Sequence, residues 1–318
     1  DKRKDYLDSI QNYECTIYRK ISLENTEPKM MKDSVEKNRN DSISGLAEEN
    51  RRKKKKNKAF RKDTNTQMVQ YISSLNETIA LLYFEKPAKY KESVIAENPY
   101  QIKWPREMYY ISMNMSEGTS FNTNGYEYSN PYNLINNAAT ADFNFYKSTL
   151  IQPSICIKPL LSPLASGSAL SYKYDYEGVV YKEGKKYYKI KITPIFPADA
   201  LYSGYIVVQD SSWSLHEVDL AINPDVLLYC KNFRIQQSYK LLSPGISVPE
   251  KSVFTFTIKE GNRTIQGSTE IIYSDYSINQ KIPSQTFTSE IKEYKENAFE
   301  KDSVWWTQYR PNFLTDNE

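Results

Sequence analysis

Few side chains in this 318-residue sequence are of the kinds that make and break bonds. It has one histidine, His216, so a Ser-His-Asp triad has a single candidate base and a multi-histidine zinc site cannot be assembled. Cys15, Cys156 and Cys230 are odd in number, far apart and without a CxxC pair. That spacing excludes a zinc knuckle or a disulfide framework and reads as three small buried hydrophobes, which leaves the redox compartment open. Asp175, Glu177, Asp210 and Asp219 fall in strand-like stretches, and nothing in their spacing selects a pair for glycosidase-type acid/base work. No GxxxxGK[ST], GxGxxG, GxSxG or HExxH occurs. The expectation is a protein that is not an enzyme, with no cofactor and no metal.

The net charge of +3 conceals an asymmetry. Nine basic residues and no acidic ones lie in 51–62, RRKKKKNKAFRK, which leaves −6 on the rest of the chain. The run sits inside a polar stretch, 27–66, that reads as a charged insertion. Nucleic-acid binding pairs basic residues with stacking aromatics, and Phe60 alone is a poor platform, so no nucleic-acid partner is expected. Arg51, Arg52, Lys53, Lys54, Lys55 and Lys56 fit an anionic membrane surface better, at about 1 kcal/mol per basic residue near the leaflet. No run of 18 apolar residues is present, and no apolar h-region follows the first residues.

The elements that must position any site read as follows. Tyr6, Leu7, Ile10 and Tyr13 have helical spacing. Ile17, Ile21 and Leu23 alternate as a strand, and Met68–Ser73 and Ile79–Glu85 read as two strands with a turn over 74–78. Tyr90–Glu97 continues the sheet. Between 98 and 163 the chain is rich in Asn, Ser and Tyr and reads as loops with one helix over Asp142–Leu150, Asp142 being its N-cap. From Leu170 the period becomes two: Leu170, Tyr172, Tyr174 and Tyr176 share a face, Glu183-Gly184-Lys185 turns, and Tyr188, Ile190 and Ile192 follow. Further strands fall at 204–209, 213–220, 233–239, 253–259 and 264–274. The spacing predicts an antiparallel meander curling into an open or half barrel. A helix is predicted over 289–299, and Trp305 and Trp306 read either as an anchor packed on the core or as a membrane or partner contact.

Four stretches in order carry a family resemblance: DFNFYKSTLIQPSICIKPLLSPLASGSALSYKYDYEGVVYKEGKKYYKIKITP (142–194), YSGYIVVQDSSWSLHEVDLAI (202–222), FRIQQSY (233–239) and EKDSVWWTQYRPNFLT (300–315). Over roughly 67–318 the chain resembles an uncharacterised family of Bacteroidetes outer-membrane proteins. Their plan implies a carboxypeptidase-regulatory-like domain before this domain and an outer-membrane β-barrel after it; the basic insertion departs from their pattern. The leading helix and strand, LYFEKPAKYKESV (82–94) and the later KYYKIKITP, GYIVVQD and WSLHEVDLAI rhythm are also similar to periplasmic lipoprotein carriers of the LolA type. That likeness implies an unclosed barrel with an apolar interior for acyl chains, lidded by 131–165 and by the helix over 289–299.

The expected fold is α+β: a strongly curved antiparallel sheet, open or half-barrel, with helices over the concave face. It is expected to form one soluble domain, 1–318, with 300–318 an extension towards a β-barrel. A container of this kind takes an apolar ligand, a lipid, acyl chain or extended polypeptide, at the periplasmic side of the outer membrane; the alternative is a filled-core assembly domain that docks a barrel or partner. Tyr172, Tyr174, Tyr188, Ile190, Phe254 and Phe256 are the expected lining.

Overall fold

A computed structural model describes residues 2–28, 68–98, 132–261 and 263–311. Helix α1 (Lys2–Ser9) leads into β1 (Asn12–Pro28), followed by β2 (Met68–Glu85) and β3 (Lys89–Glu97). The short pair β4 (Thr149–Leu150) and β5 (Leu160–Leu161) precedes a run of hairpins: β6 (Tyr172–Lys182), β7 (Lys185–Pro194), β8 (Tyr202–Gln209), β9 (Leu215–Ile222), β10 (Asn232–Ser243), β11 (Ile246–Glu260) and β12 (Arg263–Ile278). A short β13 (Lys292–Tyr294) and helix α2 (Ser303–Tyr309) complete the described elements. Eleven strands form one sheet in the order β13-β3-β2-β1-β12-β11-β10-β9-β8-β7-β6. All its pairings are antiparallel except β13 with β3, and its two ends do not meet, so the sheet is open.

The alternation from 170 to 276 is the meander expected. β10 and β11 send one parity to the main core and the other outward, β1–β3 bury residues on both faces, and β6 buries Tyr172 alone. On the covered face lie Ile192, Ile206, Leu220, Phe233, Phe254, Ile271 and Ile17, all buried in one cluster that reaches from Val94 of β3 to Tyr172 of β6. Gly267 stands opposite Phe256, whose ring occupies the space a Cβ would need.

Four predicted elements differ. The leading helix stops at Ser9, and Tyr13, expected on it, lies in β1 opposite Phe84 and Ile278. Residues 68–85 form one strand without a turn at 74–78, because β1 is long enough to pair with them almost throughout. Asp142–Leu150 is not a helix: Asp142 forms an ion pair with Lys147, and the chain turns so that Phe143, Phe145 and Tyr146 all enter the core. Residues 289–299 are not a helix either. The Glu92 amide donates to the Ile291 carbonyl at 2.7 Å and the Lys295 amide to the Val94 carbonyl at 2.9 Å, so sheet pairing along β3 takes up the backbone.

On the opposite face, Trp306 of α2 is buried with Tyr18, Ile79 and Ala96. Asp302 caps α2, its side chain accepting from the Trp305 amide at 2.8 Å. Arg310 then clamps the Glu77 carboxylate with two hydrogen bonds, and the Tyr18 hydroxyl donates to the same group at 2.6 Å. No described helix is long and apolar enough to cross a membrane.

Candidate functional site

The covering segment, 132–171, does not fill the whole face. Phe143 packs against Phe254 and Phe233, with ring centres 5.4 and 5.9 Å away, and Phe145 meets Tyr202 edge-on at 5.3 Å. Tyr146 stacks on Tyr6 of α1 at 5.2 Å, while its hydroxyl accepts from the Leu215 amide at 2.8 Å. These rings close the middle of the face. Beyond them, towards the β2–β3 and β10–β11 turns, a cavity of about 350 Å³ remains.

Its walls come from elements far apart in sequence. Tyr6 and Leu7 of α1 form one side, Tyr13, Leu82, Phe84 and Tyr90 the sheet on that side, and Tyr239, Val248 and Tyr273 the far wall. Ala138 and Ala141 of the covering segment are small enough to leave the space open. Burial raises the phenols of Tyr13, Tyr90, Tyr239 and Tyr273 above the ordinary tyrosine value, so the aromatic wall is uncharged at neutral pH. Polar side chains share the lining: Asn144, Gln237 and Ser247, with the charged Asp8, Lys86, Asp142 and Lys147. Gln237 is buried and accepts from the Tyr239 hydroxyl at 2.7 Å. At the solvent end Lys86 faces Asp8 at 3.5 Å, and Lys147 is paired with Asp142. Helix α1 holds the cover: Arg3 donates to the Tyr146 carbonyl at 2.6 Å and the Tyr6 hydroxyl to the Ser212 carbonyl at 2.9 Å.

The predicted lining lies elsewhere on the same face. Phe254 and Phe256 are wholly in the core beside Phe233, and Tyr172 is buried with its hydroxyl donating to the Leu161 carbonyl at 2.6 Å. The Tyr174 hydroxyl donates to the Pro163 carbonyl at 2.7 Å, and Ile190 packs on the edge of the core. Tyr188 stacks with Trp213 at 5.8 Å and donates to Asp210 at 2.9 Å. None of the six borders the cavity. Trp306 serves as the buried anchor of α2, and Trp305 lies partly exposed, stacked on Tyr309 at 4.5 Å. Arg51, Arg52, Lys53, Lys54, Lys55 and Lys56 lie outside the described residues. Phe84, Tyr90, Tyr239 and Tyr273 sit in or beside strands that the sequence does reveal, whereas Tyr6 comes from α1, Phe143 and Tyr146 from the irregular cover, and Tyr13 from the start of β1.

The chemistry-bearing residues are each engaged separately. Asp175 pairs with Lys173 at 2.9 Å, Glu177 with Lys189 at 3.0 Å, and Asp219 receives both arms of Arg234 at 2.6 and 2.7 Å. His216 stacks on Tyr187 at 4.2 Å, and partial burial, with Lys182 nearby, lowers its pKa. All three cysteines are buried and free. Among the described residues no group of three or more His, Cys, Asp or Glu is placed to hold a metal ion.

The pattern of a family of unknown function, DUF5686, matches residues 1–276. The chain belongs to that family. Among solved structures it is similar to an outer membrane lipoprotein-sorting protein domain from Vibrio parahaemolyticus, at 10% identity and a TM-score of 0.30, over 89% of this chain and 92% of that one. It is also similar to a LolA superfamily protein from Nitrosomonas europaea, at 10% identity and 0.26, over 91% and 95%. A structure of lipovitellin matches at 8% identity and 0.32, over 86% of this chain and 26% of that one. At such scores none of these likenesses carries an argument about fold or ligand. No curated protein matches in sequence. For this family member the site's own geometry has to carry the functional reading.

Proposed function

We propose that this domain binds a single apolar chain, the acyl chain of a lipid or lipoprotein, in the cavity beneath α1. On this reading the sheet curves as a half-barrel around its covered face, and binding takes place without catalysis on the periplasmic side of an outer membrane. The observation that carries it is the cavity itself. Its volume of about 350 Å³ lies within the ~300–1,000 Å³ of small-molecule sites, and its aromatic and aliphatic walls suit an uncharged chain. The resemblance of residues 67–318 to outer-membrane proteins supports the location.

Organic extraction of the purified protein followed by mass spectrometry is the direct test, with titration of a fluorescent fatty acid beside it. Bound lipid or saturable uptake is expected, and Ala141→Phe, which places a ring in the cavity, abolishes the uptake while the circular dichroism stays unchanged. A lipid-free protein that takes up no probe overturns the reading.

The closure of the middle of the face by Phe143, Phe145 and Tyr146 favours a second reading, a filled-core domain that docks an outer-membrane β-barrel. That reading predicts no extractable lipid and retention of a barrel in a pull-down from outer-membrane extract.

A further inference from the structure

The two edges of the sheet are treated differently. At one edge β13 pairs in parallel with β3 and covers it. At the other, β6 runs eleven residues with β7 on one side and no described strand on the other. An edge strand of that length presents a row of unpaired amides and carbonyls, which is a template for another strand. It also shows large apolar side chains: Tyr176 is 64% and Tyr181 71% exposed, with Val179 beside them.

We infer that β6 is a self-association edge, joining a second copy of this chain by antiparallel pairing through a two-fold axis at Val179. The occupant follows from the strand's own pattern. Residues opposite one another in an antiparallel pair share a face. In its pairing with β7, β6 carries one extra residue between Tyr176 and Gly178, so Tyr176, Val179 and Tyr181 share the covered face while Asp175, Gly178, Val180 and Lys182 share the other.

A two-fold axis at Val179 preserves both faces. Gly178 then meets the partner's Val180. With Glu177 again left out of the ladder, Tyr176 lies opposite the partner's Tyr181 and Asp175 opposite the partner's Lys182. Charged edge residues ordinarily discourage such pairing. Here the two signs are placed so that this register brings opposite charges together twice, once on each side of the axis. Isologous two-fold contacts are the commonest form of homo-oligomer. A fully buried aromatic removes about 150–250 Å², and Tyr176 and Tyr181 have about two-thirds of that left to bury, so four rings contribute about 400–670 Å²; with the strand backbone the contact stays below the ~1,000 Å² of a stable specific interface, and the dimer is a weak one.

Sedimentation equilibrium of the whole chain, from micromolar to several hundred micromolar, reads the association. Asp175→Lys or Lys182→Asp alone weakens the dimer about tenfold, equivalent to about 1.4 kcal/mol. The exchanged double variant Asp175→Lys/Lys182→Asp restores it. Both side chains are solvent-facing, Asp175 paired with Lys173 and Lys182 with Glu217, so the variants stay folded, which a thermal melt checks. A monomer at every concentration, or a dimer indifferent to these reversals, overturns the inference. The outcome is independent of whether the cavity holds lipid.

Discussion

Replacing Phe143 with alanine probes the boundary between the filled middle of the sheet and the cavity beside it. The ring is 1% exposed, contacts Phe233 and Phe254, and forms part of the cavity wall. Its removal opens on the order of 100 Å³, which at ~24 cal/mol per Å³ costs about 2.4 kcal/mol in cavity energy. The lost transfer of the ring adds roughly 1.5–3 kcal/mol, so the whole change falls near 4–5 kcal/mol. The new void is continuous with the existing one, so the enlarged space accepts a longer chain than the native protein does.

Urea unfolding, followed by near-ultraviolet circular dichroism with and without dodecanoate, measures both quantities. Without ligand the variant's midpoint drops. With dodecanoate at a hundred times its dissociation constant, about 2.7 kcal/mol returns. A loss below 1 kcal/mol would show that Phe143 does not fill the face. A full loss with no response to any fatty acid would show that the void and the cavity are not one binding space.

Two other perturbations address the charges and thiols under the same cover. Arg19 and Glu92 form a fully buried pair with bonds of 2.8 and 2.6 Å, so Glu92→Gln strands the guanidinium and costs about 3–5 kcal/mol by chemical denaturation. Burial raises the Glu92 pKa, but the Arg19 charge and hydrogen bonds outweigh it and the net shift is downward; at Glu77, burial is likewise outweighed by Arg310 and Tyr18. Each folded-state value thus lies below the unfolded one. The stabilisation is present above the unfolded carboxylate value of about 4.3 and is lost as pH falls through the lowered folded values, so the urea midpoint declines on acidification below about pH 4.3, less steeply in the Gln variant. Burial pushes the Cys156 thiol up to about 12 and the Cys230 thiol up to about 11, and Cys15 is raised further still. At pH 8 a thiol-specific disulfide reagent should therefore label none of the three until urea unfolds the chain, and rapid labelling of native protein would contradict the packing.

The meander was legible because its signal is local: Tyr188, Ile190 and Ile192 alternate with polar residues whether or not the rest of the fold is known. The cover was not. Asp142 and the aromatics after it fit a capped helix in isolation, and only the sheet beneath, with its vacant middle, draws Phe143, Phe145 and Tyr146 inward together. Residues 289–299 misled for a related reason, since the bare edge of β3 supplies hydrogen-bond partners that a sequence reading cannot see. Alternation groups Phe254 with Phe256 and Tyr188 with Ile190 on one side of their strands, but it does not say which side is covered. The cavity walls at Tyr13, Phe84 and Tyr273 do not follow from it, because an opening is defined by what the covering segment leaves bare.

The interior position of β1, fourth in the sheet, has a consequence for how the chain reaches this state. One side of β1 pairs with β2, the other with β12, and Tyr13 meets Ile278 across the latter ladder. The partner for that second edge, β12, lies about 250 residues further along the chain and pairs with β1 only once the two have found one another. Until then β1 is a temporary edge, and the apolar side of the early strands has neither its later neighbours nor most of its cover. The sheet closes from sequence-distant pieces, which makes folding slow, and its interval of greatest exposure to misassociation falls before the native edges exist.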